Sequence, residues 1–526
     1  MKISDCKMNV KALITAVYMS AVWMIHIYVN VTTKDAARNV WALLSFMILL
    51  LLFSYAASTL LFKKLDEIVI KKCNGADRKS KIRVFTLASA ITFVVMLIWF
   101  VGHYPGSFSP DSISQYGQAI TGKYNDWHPV LHTLLFFTLP LKMTGHVASI
   151  IVFQILYFSL TMGYLALTLY EMYGTKVSVV SCMYILLNPC VGYIMMFPWK
   201  DVAFAMGGAL CTIISIRFIV LKEKADLRKI ALLGLLLACT TIFRHNAILY
   251  TGPLIAALFF NMDRRSWVKT AIIFAAALFV IKVPLYHSLD VTKPGGRVIE
   301  TVGLPLTIIG NVAQKTPERM DEELANFVYS IAPHEKWATD YLTGDFNNIK
   351  YAGIDMRIVE KTGRAGMLRL MAKCFKLSPK VSCEALFALT DMVYGFETTS
   401  KGNIRGIGIV DNPYGLRSGQ MSFSSNMLTL AIMGTAYIYS GFVDTTFFGY
   451  LRTYGVVLFV ILVCALCSLN FRSWASWKKT FLVLPIFMYD FGTMLFLMGW
   501  DSRFFFITFL AAPLIIGYTL YNKENV

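Results

Sequence analysis

Between Tyr104 and Pro129 the chain reads YPGSFSPDSISQYGQAITGKYNDWHP. Two acids, Asp111 and Asp126, stand with His128 among hydroxyls, amides and the aromatics Tyr116, Tyr124 and Trp127. Carboxylates and imidazole move protons, and aromatic faces suit sugar rings. Three other polar groups interrupt apolar sequence: Lys200-Asp201, Arg244-His245-Asn246 and Asp501-Ser502-Arg503. Lysine and arginine are the side chains that grip phosphate. Proton transfer beside phosphate binding is the chemistry these residue types offer.

Each group also has a plain structural reading. Asp111 follows Pro110 and could cap a helix beginning Asp-Ser-Ile-Ser-Gln. Its functional alternatives are a general base towards an acceptor hydroxyl or a metal ligand. Asp126-Trp127-His128-Pro129 reads either as a cap with an interfacial Trp127, or with His128 donating to a phosphate or sugar. His132 lies one helical turn beyond His128, but a pair without a third ligand does not make a zinc site. Lys200-Asp201 could be a salt-bridged helix start or a phosphate grip. Arg244, with His245 beside it, lies between two short apolar runs, where a lone guanidinium is expensive without an anion. Asp501 either neutralises Arg503 or shares a phosphate clamp with it.

The surrounding elements must be membrane helices. The chain has 526 residues, 56% of them hydrophobic and 15% charged, with a mean hydropathy of +0.58. No soluble core hides that much apolar side chain. Apolar runs of about 20 residues recur, the length that crosses ~30 Å of hydrocarbon as a helix. The runs are continuous, which argues against a β-barrel. The fold class is therefore an all-α polytopic membrane protein.

Charge orients it. The net charge is +18, and the short clusters Lys63-Lys64, Lys71–Arg83, Lys222–Lys229, Arg264–Lys269 and Arg472–Lys479 read as cytoplasmic. Residues 286–424 hold 16 basic against 15 acidic residues and read as a large folded exterior region. Helical candidates there are Pro317–Ile331 and Met367–Phe375, with turns at Lys401–Arg405 and Asp411–Gly415. The basic excess suits topology and anionic lipid, and no module for nucleic acid is present. The cysteines read as packing residues, except that Cys374 and Cys383 could pair in an oxidising exterior.

The division is 1–83, two spans and a basic loop; 84–285, a membrane module with its first exterior loop at 104–146; 286–424, exterior; and 425–526, the final spans. About twelve spans result, with both termini inside. Val130–Leu141 reads as an interfacial helix, Val177–Phe197 as a span, and Asn426–Phe442 as re-entrant or interfacial. This topology puts all four polar groups at one face.

The order of these features resembles the GT-C superfamily of integral-membrane glycosyltransferases. The resemblance rests on Asp111 in a first exterior loop, Trp127-His128-Pro129-Val130-Leu131, Gly145 before the next span, Arg244, and the late Asp501-Ser502-Arg503. It covers 84–285 closely and the last spans loosely, and is nearest to a group of bacterial membrane proteins assigned to that superfamily. It implies a polyprenyl-phosphate-linked sugar as donor, transfer on the outer face of the plasma membrane, and a glycan, lipid or protein acceptor. Asp111 would be the base, with Arg244 and Arg503 on the lipid phosphate. The chain departs from the pattern in carrying a single Asp-Ser where many members have two acids, which leaves a divalent cation such as Mg or Mn open. It also has His-Pro-Val for a double proline, and two extra spans before the loop.

The rival readings are a flippase or transporter for a lipid-linked glycan, a polysaccharide polymerase or ligase, and a non-catalytic scaffold. Alternating access needs polar residues on both sides of the midplane. Here they gather at one face, which favours an enzyme.

Overall fold

Inside hydrocarbon every backbone polar group must be satisfied within the segment, and the helix does this. The chain is accordingly helical, with only isolated β-bridges among the described residues. The computed structural model describes residues 9–30, 40–67, 72–73, 77–293, 295, 298–396, 408–417, 425–499 and 501–521. The Lys401–Arg405 turn lies outside them.

Three long helices come first: α1 (Val10–Asn30), α2 (Val40–Glu67) and α3 (Arg78–Gly102). The next loop holds α4 (Pro110–Thr121) and α5 (Val130–Thr144). Then come α6 (Ala148–Tyr173), α7 (Thr175–Leu186), α8 (Pro189–Met195) and α9 (Lys200–Ile219). The short pair α10 (Leu227–Phe243) and α11 (Ile248–Asn261) precedes α12 (Arg264–Ser288). A helical region follows: α13 (Gly303–Lys315), α14 (Glu322–Ile331), α15 (His334–Asp340), α16 (Asn347–Tyr351), α17 (Met356–Leu377) and α18 (Pro379–Tyr394). The last helices are α19 (Ser425–Thr445), α20 (Tyr454–Ser468), α21 (Trp474–Phe496) and α22 (Ser502–Tyr521).

Nine helices are long and apolar enough to cross a membrane among the described residues, or ten if the bent α7–α8 pair is one span. The reading of about twelve also counts the shorter apolar helices α10, α11 and α20, of 17, 14 and 15 residues. Val177–Phe197 is not one continuous helix. It bends by 63° between α7 and α8, where Asn188 caps the second helix and Pro189 occupies its first turn. The stretch read as re-entrant or interfacial forms α19, whose Met427–Thr445 has the length and hydropathy of a span. Yet Gly102, at the end of α3, packs on Ile432 and Met433, and the Tyr439 hydroxyl donates to Leu187 O at the α7–α8 bend. The chain after it returns at once to Tyr454, whose hydroxyl donates to Ser502 O.

The basic loops share a face. Cys73 N donates to Met172 O, Asn261 Nδ2 to Lys478 O, Tyr518 to Lys479 O, and Lys72 lies over the Tyr521 ring. At the other face, helices α13 to α18 close a second core around Trp337, Tyr341, Phe346 and Ile349, and Met498 from the α21–α22 loop belongs to it. Cys374 and Cys383 both carry free thiols. Central to the whole is α9, buried along nearly all its length.

Candidate active site

Five segments meet at the opposite end of α9 from the basic loops. Local sequence explains why the side chains are available. Ser109 caps α4 by accepting from Ser112 N, and Pro110 occupies the first turn. Asp111, in that turn, is left with its carboxylate about one-third exposed and pairs with Arg503 at 3.2 Å. Trp199 precedes α9, so Lys200 and Asp201 stand in its first turn rather than in a loop. An acid there also meets the positive end of the helix. Arg244 ends α10 with extended backbone, and Asp501 accepts from Arg503 N at the start of α22.

Asp201 is the hub. It is 1% exposed and lies 2.8 Å from Arg244 Nη1 and 3.7 Å from Arg503 Nε. Arg503 also meets Asp501 at 3.0 Å, so three carboxylates share one guanidinium. Its cationic face lies over Trp199 at 4.7 Å and Phe504 at 5.0 Å. Trp199 in turn donates to Ser109 at 2.8 Å, tying the start of α9 to the cap of α4.

Arg244 is fully committed. Besides Asp201 it donates to the Tyr489 hydroxyl and to Phe504 O, and stacks on the Phe504 ring at 4.7 Å. Lys200 is the contrast. Its partner is His128 Nδ1 at 3.5 Å, and no carboxylate among the described residues lies within ion-pair distance. His128 is 2% exposed, and burial followed by the Lys200 charge pushes its imidazole down to about 3. It is therefore neutral near pH 7 and available as a donor or acceptor. At Asp111 burial opposes ionisation, but Arg503, Lys200 and His128 outweigh it and hold the carboxyl well below the usual range.

Two candidates stand apart. Asp126 accepts from Tyr286 at 2.9 Å and pairs with Lys282 at 3.5 Å, which fastens this loop to the end of α12. His245 is exposed and its Nε2 lies 3.3 Å from Trp127 O. His132 is held by Gln115 at 2.8 Å and stacks on Phe136. Sequence reasoning passed over Trp199, Tyr489 and Phe504, whose rings and oxygens fix the two arginines. It also passed over Asp490, fully buried beside Tyr489 and bonded to Thr508 at 2.8 Å. An acid inside the apolar run of α21 was the available signal.

A family model matches residues 125–422, more than half of the chain, and is described as a family of unknown function, DUF6020. The chain belongs to that family. The matched region includes His128, Lys200, Asp201 and Arg244, while Asp111 and Arg503 flank it. No curated protein matches the chain. The crystal structure of ArnT from Cupriavidus metallidurans bound to undecaprenyl phosphate is similar at 13% identity and a TM-score of 0.33, covering 83% of this chain and 78% of that chain.

Proposed function

We propose that the protein is a membrane glycosyltransferase that moves a sugar from a polyprenyl-phosphate donor to a hydroxyl acceptor at the outer face of a bacterial plasma membrane. One observation carries the reading. A partly exposed, ionised Asp111 lies beside Arg503 and within the field of Lys200, an ammonium with no carboxylate within ion-pair distance among the described residues. Lys200 and the shared Arg503 form the anion-binding side; Asp111 forms the proton-accepting side.

In the step that follows, Asp111 accepts the proton of the acceptor hydroxyl. The freed oxygen bonds to the anomeric carbon from the face opposite the phosphate. The carbon–oxygen bond to phosphate breaks, and its electron pair leaves on the phosphate oxygen. Lys200 and Arg503 stabilise that charge, so no strong acid is needed. Arg503 also has a second task. While it sits on Asp111 the carboxylate is a weak base; drawn towards a phosphate, it leaves Asp111 a better proton acceptor. Arg244 would hold Asp201 and the end of α22 in place instead of touching the donor. The cations around Asp111 fit a phosphate better than a divalent metal.

The test is transfer of labelled sugar from polyprenyl phosphate to a membrane glycan extract in proteoliposomes, with and without EDTA. Wild type transfers and Asp111→Asn does not, while donor binding persists in both. Label that crosses the bilayer equally in both proteins sinks the reading and points to a flippase.

A further inference from the structure

A row of polar contacts runs from the lipid-facing helix α12 to Lys200. Helix α12 buries little of its length and shows Ile272, Phe279, Val280 and Val283 to its surroundings. From Arg264, at the basic face, to Lys282 it rises about 27 Å at ~1.5 Å per residue, close to the ~30 Å thickness of hydrocarbon. Lys282 therefore stands at the opposite headgroup level, where lipid phosphates lie. It lies in a π-turn that contains Pro284, a form frequent at functional sites. Lys282 Nζ donates to the Tyr286 hydroxyl at 2.9 Å, and Tyr286 donates to Asp126 Oδ1 at 2.9 Å. The ammonium is 3.5 Å from that same oxygen. Trp127 follows, and its carbonyl accepts from the exposed His245 at 3.3 Å. His128 comes next, its Nδ1 3.5 Å from Lys200 Nζ. Three consecutive residues thus join a lysine at the lipid side, 38% exposed, to the lysine of the candidate site.

We infer that Lys282 is the entry site for the phosphate of the lipid donor, which passes along residues 126–128 to Lys200. This route deepens the glycosyltransferase reading above and rests on it for the donor's identity alone. A polyprenyl chain stays in hydrocarbon, so its phosphate travels in the headgroup plane and reaches Lys200 from the side. Lys282 offers a cation at that level, where α12 meets the turn that carries His128. Asp126 shares the ammonium and keeps the capture weak. Lys200, with no carboxylate within ion-pair distance among the described residues, then draws the phosphate inward.

The test is the rate at which the full chain, in mild detergent, takes up radiolabelled polyprenyl phosphate that carries no sugar. Lys282→Gln slows uptake on the order of fivefold. Asp126→Asn still accepts from Tyr286 but releases Lys282, and speeds uptake by a similar factor. A pair that only fastened the turn to α12 would shift the rate in one direction when broken from either side. That outcome overturns the inference, as do unchanged rates in both variants. Phosphatidylglycerol and inorganic phosphate serve as competitors, and neither slows uptake at a concentration equal to the label. Competition by phosphatidylglycerol as strong as by unlabelled polyprenyl phosphate marks a general anionic-lipid site and overturns the donor entry; the same result with inorganic phosphate marks a free-phosphate site and overturns it too. A transfer assay on the same proteins separates the two ideas. Opposite rate changes without transfer by wild type leave a lipid-phosphate entry and remove the enzyme, whereas transfer with equal uptake rates in all three proteins does the reverse.

Discussion

Helix α9 carries an ionic cluster at each end, and the two are built differently. At the basic face, Arg217 pairs with Glu171 at 2.6 Å and with Glu223, and donates to Thr168 at 3.0 Å. Lys81 completes Glu171, and Lys229 completes Glu223 at 3.0 Å. Every charge there has an opposite partner. At the other end, Asp201, Asp501 and Asp111 crowd Arg503, while Lys200 faces a neutral imidazole. Closed networks hold helices together; an unmatched ammonium beside a solvent-reached carboxylate leaves room for a ligand. Burial alone does not distinguish the two clusters, since Arg217 and Arg244 are both buried. The state of pairing does.

Substitutions can break or sharpen that contrast. The largest effect belongs to Asp111→Asn, which should lower transfer by about 10²–10⁴-fold, the usual weight of a positioned general base, with little change in thermal unfolding. Arg217→Met should do the opposite. It leaves Glu171 and Glu223 with one lysine each and removes the buried guanidinium that joins them, read as a lower unfolding temperature in detergent with the specific activity of the surviving fraction kept. If Arg217→Met abolished turnover in well-folded protein, the division into closed and open clusters would be wrong.

Lys200→Ala should weaken the donor phosphate by about 1.5–3 kcal/mol, the value of a charge-assisted hydrogen bond, seen as a drop in kcat/KM with stability preserved. His128 gives a pH test. Its folded imidazole is held down at about 3 against an ordinary 6.5, so the unfolded chain binds the proton first. Its contribution to stability is complete above 6.5 and fades as pH falls towards 3. Thermal unfolding of wild type should show that acid loss and His128→Gln should reduce it. The groups facing the ring, Lys200, Asp111, Arg503 and His245, set the shift after burial. The smallest effect is expected for Lys81→Ala. Lys81 is 40% exposed, so its pair with Glu171 is worth about 0–1 kcal/mol and activity should not move.

Much of this was legible in the chain. Ionisable residues at the ends of apolar runs marked Asp111, Lys200, Asp201, Arg244, Asp501 and Arg503, because hydrocarbon makes such residues costly to keep. Their common face followed from charge alternation along the loops. Less legible was the length of each helix, since α10, α11 and α20 are as apolar as the longer helices yet have only 17, 14 and 15 residues. Nor did the pattern separate Arg244 from Lys200. Both looked like phosphate grips, and only packing against Tyr489, Phe504 and Asp201 commits the first and leaves the second.

By itself, the amino-acid sequence determined the helical membrane class, the side on which the polar groups gather, and the residue types able to bind phosphate and move a proton. These follow from hydropathy, charge and side-chain chemistry, which are local properties. Tertiary structure alone decided which charges neutralise one another, that Asp126 serves α12 instead of joining Asp111, and that the backbone at the start of α16 bonds to Met498 O in the α21–α22 loop. Those outcomes depend on distances between residues up to 392 positions apart, as for Arg503 and Asp111. No local pattern encodes such distances; the packing of helices around α9 sets them.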